Sequence, residues 1–550
     1  MTRYGWQDCV CLALFGILVS SGARAADATA SNTGYSPPLL LRFNDTDHPA
    51  PADYGPGAGL RPRSAAAEAA TSFSGTIPNG GPTAYLGGFF GPAVNWPIIP
   101  LHEVLLPDGR VMNYGTGTTG SQGAALVYDV WDPSLGTGTN SQLVLTNTTG
   151  TDIFCSAQSL LWNSDQVLIS GGDLTVNGQR NFSQNKTTIF SPQTNTIAAG
   201  TSMQYPRWYD SMVPLPTGEM LVSGGRTAPG APAITPEVFS PTSGWRTLTG
   251  ATSDAAFGSN ATNWFYPRGF VSPSGAVFML AVDGTMYSLT TAGAGTIAPF
   301  AQTTFGGTSS LPTLMFAPGR VLSIRSQART VVVNISGATP VVTQVGNISQ
   351  DRIWSSGTVL PDGRVVVTGG SLIDNTLTGV SYEVEVWNPT TGNWTMGASA
   401  TKPRLYHSTA LLLPDATVLT GGGGAPGPVN ELNAEIYYPS YLYRRDGSGL
   451  AASRPTLATA PAVVNVGQSF TATVGSADVI GAVSFVRSGS VTHSANLDQR
   501  FLKMSFTQSG ATLTVQTLAN RNVLLPGYYM MFALNKGGTP SIAKMVLVLG

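Results

Sequence analysis

Four histidines and three cysteines are the whole supply of imidazole and thiol in this 550-residue chain, so each can be weighed in turn. His407 follows Tyr406 in the run Pro403-Arg-Leu-Tyr-His-Ser-Thr-Ala, and His493 lies in Val491-Thr-His-Ser-Ala-Asn-Leu-Asp-Gln-Arg500. Paired imidazoles with oxygen ligands are what Cu(II) accepts in a tetragonal site, provided the fold brings two such distant segments together. His48 and His102 read as structural or surface imidazoles. Cys9 and Cys11 fall in an apolar N-terminal stretch, which leaves Cys155 as the single cysteine of the processed chain and excludes an intramolecular disulfide. A single thiol in an oxidising compartment is buried and inert, paired between chains, or committed to other chemistry. Composition favours burial.

The elements that must position these residues repeat. A small or polar residue, an apolar run, a turn, a second apolar run and often Gly-Gly recur at residues 102–115, 159–172, 211–225, 269–280, 313–324, 357–370 and 408–422. Turns such as Pro107-Asp108-Gly109 and Pro361-Asp362-Gly363 make each copy a hairpin. Between copies, runs such as Glu385-Val-Trp-Asn-Pro389 and Glu435-Ile-Tyr-Tyr-Pro439 end a strand at a proline, where no ladder N–H is needed. A spacing of roughly 50 residues is the kelch period, with four strands per blade, and glycine pairs suit strands crowded near an axis. The expected fold is all-β: a seven-bladed kelch-type β-propeller over residues 85–445, followed by a C-terminal immunoglobulin-like β-sandwich over 453–550.

The rest of the composition narrows the class. Charged residues make up 10% of the chain and the net charge is −1, which leaves no basic field for nucleic acid. Residues 1–25 read as a secretory signal peptide: a charged start, a short apolar run and a small-residue cleavage site. They imply a secreted or periplasmic protein without a transmembrane segment. Residues 26–84 form an irregular extension rich in proline, glycine, alanine and serine.

Five motifs in order carry a resemblance: Asp152-Ile-Phe-Cys155, Pro206-Arg-Trp-Tyr209, Arg404-Leu-Tyr-His407, Thr492-His493 through Asp498-Gln-Arg500, and Leu525-Pro-Gly-Tyr-Tyr-Met-Met-Phe532. The chain resembles the galactose oxidase and glyoxal oxidase family of copper radical oxidases across propeller and sandwich. The resemblance implies a thioether between Cys155 and Tyr209, the modified tyrosine being both radical and copper ligand. It implies Tyr406 as axial ligand and general base, and His407 and His493 as the remaining protein ligands of one copper ion. Substrate and dioxygen would complete the reaction, hydrogen peroxide would leave, and a peroxidase would be a downstream partner. Gln499 and Arg500 are expected to orient the His493 loop.

Substrate is where the resemblance thins. The tryptophan that galactose oxidase stacks over its modified tyrosine would fall near Thr227, and the Arg-Trp-Tyr form around Tyr209 looks more like the glyoxal oxidase branch. Trp208 and Trp354 are expected as walls of the substrate pocket and Arg268 as a polar substrate contact. Small aldehydes, acting as hydrates, or primary alcohols are the expected substrates. Two readings stay open beside this one: a galactose or primary-alcohol oxidase proper, and a non-catalytic propeller that binds glycan or protein.

Overall fold

The computed structural model describes residues 76–550. The signal-peptide reading, His48 and most of the 26–84 extension lie outside the described residues.

Seven four-stranded antiparallel blades surround an axis, and all seven hairpins read from the sequence are their two innermost strands. Blade 2 shows the pattern: Ala157–Leu160 at the axis, then Val167–Ser170, Thr187–Ser191 and Thr196–Ala199. The first two strands are wholly buried and the outermost is largely exposed. Strands covered on both faces carry near-continuous apolar runs, which is why the inner hairpins were the legible part of the repeat.

The ring is closed by pairing across the whole length of the propeller. Blade 7 takes three strands, Ser408–Leu412, Val418–Gly422 and Asn433–Tyr438, from the end of the ring. Its outer position is filled by Phe89–Phe90 and Val94–Asn95, with Phe89 opposite Tyr438 and Val94 opposite Ala434. Glycine pairs lock blade to blade. A Cβ on Gly171 would lie 2.3 Å from the Arg207 carbonyl of blade 3, and one on Gly369 would lie 2.5 Å from the Arg404 carbonyl of blade 7. The next glycine donates its N–H to the same carbonyl: Gly172 to Arg207 at 3.0 Å and Gly370 to Arg404 at 2.7 Å. Only residues without a side chain allow strands this close.

After the propeller the chain forms eight strands with their own core, including Phe485, Leu502, Val515, Met531 and Val546. Strand Phe501–Ser509 joins the two halves, pairing first with Ile480–Arg487 and then with Thr512–Gln516. The sandwich docks on the inner-hairpin turns: Ser484 donates to the Pro361 carbonyl (2.7 Å), Ala543 to Pro414 (2.8 Å), Asn520 to Pro273 (2.9 Å) and Arg521 to Pro216 (2.7 Å). From it a short hairpin, Ser490–Thr492 and Ala495–Asn496, enters the axis and pairs with the inner strand of blade 1, Val491 opposite Glu103. The propeller axis is therefore plugged, and the tip of the plug carries His493. The fold class read from the sequence is the one observed.

Candidate metal centre

Five of the seven blades offer a side chain to the axis from the same position, the last one or two residues before the inner strand. Cys155 holds it in blade 2, Tyr209 in blade 3, Tyr266 in blade 4, Trp354 in blade 6 and His407 in blade 7. All five have positive φ (55°, 67°, 39°, 67° and 67°), as does His493 at the plug tip (44°). Bulky residues adopt this left-handed backbone only where the surroundings over-determine it, and such strain concentrates at functional sites.

What over-determines it is a repeated clamp. Two or three residues before Tyr209, Trp354 and His407 stand Arg207, Arg352 and Arg404, each buried and paired with a glutamate on the third strand of its blade: Glu237 (2.9 Å), Glu385 (3.1 Å) and Glu435 (2.9 Å). Each arginine also donates to the carbonyl of a strand-end glycine, Gly224, Gly369 or Gly422. Each glutamate accepts the backbone N–H three residues before its arginine, from Gln204, Ser349 or Thr401. The loop is thus held at both ends before it delivers its side chain.

The delivered groups converge. Tyr209 Oη and Tyr406 Oη are 2.6 Å apart. Cys155 Sγ lies 3.9 Å from His407 Nε2 and 3.6 Å from His493 Nε2, and the ligand-capable atoms of these three buried residues all fall within 4.8 Å of one another. Tyr209 N–H donates to the Cys155 carbonyl at 2.9 Å, which ties the two loops together. His407 Nδ1 is 2.7 Å from the Gly424 carbonyl. A carbonyl only accepts, so Nδ1 carries the proton and Nε2 presents its lone pair to the cluster. His493 Nδ1 is 2.5 Å from the Thr492 hydroxyl. Burial pushes both imidazoles well below the ordinary histidine value. For His407 the Gly424 carbonyl opposes this, and for His493 the neighbouring His407, His102 and Arg268 add to it. Both rings are neutral at physiological pH. Two neutral imidazole nitrogens and two phenol oxygens form the donor set that a tetragonal copper site requires, so the residues present fit that ion.

The chain is similar in sequence and fold to known proteins. The galactose oxidase-like early set domain family matches residues 454–548. A galactose oxidase of Gibberella zeae is 28% identical over 505 residues, covering 84% of this chain and 70% of its own. The chain is thus similar to a galactose oxidase over most of its length. An aldehyde oxidase of Vitis pseudoreticulata is 26% identical over 393 residues, covering 62% of this chain and 71% of its own. A fungal alcohol oxidase solved in complex with copper shares the fold, with a TM-score of 0.73, 24% identity, and coverage of 84% of this chain and 100% of that one.

The phenols are roofed by aromatic rings. Trp208 lies 3.9 Å from Tyr209, Phe265 lies 4.4 Å from Tyr209, and Trp354 lies 4.4 Å from Tyr406 between ring centroids. Trp354 Nε1 donates to Asp374 at 2.5 Å, and the Arg226 guanidinium caps the Trp208 ring at 4.1 Å. Thr227 instead donates its hydroxyl to the Ala231 carbonyl, in a surface hairpin. Arg268, expected to contact substrate, uses its two Nη groups on the backbone carbonyls of Tyr266, Ser309 and His493, which places it as a brace under the plug tip. Gln499 accepts from Val359 N–H and Arg500 donates to the Asn522 and Val523 carbonyls, both fixing the plug to its surroundings. His102 is buried, stacked on Tyr114 at 4.3 Å and within 2.9 Å of Gln158 through Nδ1.

Sequence reasoning missed Tyr266. Its ring stacks on His493 at 4.5 Å and 25°, its hydroxyl donates to the Ser156 carbonyl, and its N–H donates to the Tyr209 carbonyl. One residue thus braces a tyrosine, an imidazole and the loop bearing Cys155. The signal was its position just before the fourth hairpin, equivalent to that of Tyr209.

Proposed function

We propose that the chain is a copper radical oxidase that takes two electrons from a small aldehyde hydrate or a primary alcohol and delivers them to dioxygen, releasing hydrogen peroxide. The observation that carries this reading is the convergence of Tyr209, Tyr406, His407 and His493 around the Cys155 thiol. The galactose oxidase and aldehyde oxidase names of its relatives support it. Tyr209, Tyr406, His407 and His493 would hold one copper ion, and Cys155 would be joined to Tyr209 as a thioether. Bound there, copper supplies a one-electron couple and a Lewis-acid site for the substrate oxygen.

The protein's own groups do the rest. A two-electron oxidation needs a second one-electron store, and a thioether-substituted phenol at Tyr209 is easier to oxidise than plain tyrosine. Tyr406 Oη accepts the proton of the substrate hydroxyl as general base. Tyr209 Oη, beside it, accepts the hydrogen atom from the substrate carbon. The roof of Trp208, Phe265 and Trp354 keeps water from these oxygens and would form the walls of the substrate pocket. Trp208 across Tyr209, with threonine at position 227, supports a small carbonyl or alcohol substrate over galactose. The N-terminal leader supports export, where a peroxidase would consume the peroxide.

The 3.6 and 3.9 Å approaches of the thiol to two Nε2 atoms favour one other reading, in which Cys155 binds a metal directly as thiolate. Intact mass after Cu(II) loading in air separates the two. Loss of one hydrogen from each partner, absent in Cys155→Ala, is the outcome expected of a thioether. An unchanged mass with Cys155 alkylated after metal removal would instead identify the thiolate. An unchanged mass with no copper retained would leave a binding propeller.

A further inference from the structure

We propose that a cavity beside the metal centre binds a small oxyanion of the carboxylate or phosphate class between Arg268 and Arg325. The cavity is small and open to solvent on one side, and Phe265, Tyr266, Thr308 and Ser309 line it with the two arginines. None of the four proposed copper ligands lines it, although Phe265 and Tyr266 form a shared wall with that centre.

Charge is the reason to expect an anion. Arg268 and Arg325 are 9% and 3% exposed, and neither forms an ion pair with a described carboxylate. Asp283 acts on Arg325 electrostatically without reaching ion-pair contact. Of the six other buried arginines among the described residues, Arg110, Arg207, Arg352, Arg404 and Arg487 each face a glutamate or aspartate, and Arg500 instead donates to two backbone carbonyls. A buried cation without a counter-ion is costly, and an anion drawn from solvent removes that cost. Donors remain for it. Arg325 uses Nε on the Phe305 carbonyl and Nη2 on those of Ala281 and Val282, so Nη1 has no partner among the described residues. Arg268 Nε is buried and also lacks one. Two guanidinium groups and the neighbouring hydroxyls match the flat or tetrahedral oxygens of a carboxylate or phosphate. Because Arg268 also holds the His493 carbonyl at 3.2 Å, occupancy would be felt at the plug tip.

Calorimetric titration of the metal-free protein with acetate and with inorganic phosphate, in low chloride, tests the site. The expected result is saturable binding that weakens about tenfold or more in Arg325→Gln. Tighter acetate binding would identify the carboxylate source and tighter phosphate binding the phosphate one. Absence of saturable heat at decimolar anion, or affinity unchanged in Arg325→Gln, would overturn the proposal. Should that variant not fold, bromide-soaked wild-type crystals decide: an anomalous peak at hydrogen-bond distance from Arg325 Nη1 is expected, and an empty cavity rules the site out.

Discussion

A histidine or tyrosine in the left-handed region costs on the order of 1–3 kcal/mol, and the centre holds Cys155, Tyr209, Tyr266, Trp354, His407 and His493 there together. That expense is met by contacts outside the donor set, so residues touching the ligands should matter nearly as much as the ligands. Thr492→Val removes the partner of His493 Nδ1, and copper affinity should fall about ten- to a hundredfold in a chelator-competition titration. An affinity equal to wild type would show that the imidazole is oriented by Tyr266 and the plug alone. Tyr266→Phe keeps the ring on His493 but loses the bond to Ser156, so the copper spectrum should shift more than the thermal midpoint does. His407 and His493 were legible in the sequence because four histidines leave few choices and both stand in distinctive motifs. Tyr266 was not, since an aromatic in Trp264-Phe265-Tyr266 reads as core packing until the fourth blade is known to point it at the axis.

The blade is the unit that converts an irregular loop into a fixed side chain, and its arginine–glutamate clamp is the means. Removing one partner of a buried pair strands the other charge. Glu435→Gln should therefore lower stability by about 3–5 kcal/mol in urea unfolding. The matching change at the partly exposed Arg246–Glu219 pair should cost less than about 1 kcal/mol. Comparable losses at the two positions would mean that the clamp is not the anchor. Glycine positions separate in the same way. Gly369→Ala drives a methyl into the Arg404 carbonyl, whereas Gly178→Ala, at φ +73° with open space around it, bears only the backbone strain of about 1–2 kcal/mol. The inner hairpins could be read from Pro-Asp-Gly turns and apolar runs because those signals are local. The clamp could not: Arg207, Arg404, Glu385 and Glu435 stood in the quoted motifs, but each pairing spans about thirty residues and a strand crossing.

Taken whole, the molecule is a ring closed by its first described strands and plugged by its last domain. Neither contact has a local signature, since Phe89–Phe90 is two residues long and the plug joins another domain's sheet. Where plug and ring meet, Glu103 is fully buried, and burial pushes its carboxyl up to about 8 against the pull of the Thr409 hydroxyl and the Arg404 charge. A raised folded-state value means the native protein keeps a proton that the unfolded chain has released. The stabilisation is complete below about pH 4.5 and is lost as pH rises through about 8. Glu103→Gln should accordingly gain Tm over wild type increasingly from pH 5 to pH 9, and a difference flat with pH would refute that assignment. The plug also imposes an order on the protein's biosynthesis. Cys155, Tyr209, Tyr406 and His407 leave the ribosome before His493 does, so a nascent chain displays four of the five central groups without being able to close the site. If copper binds as proposed, its capture would be a checkpoint for the finished, docked chain, and metal loading would report completed folding.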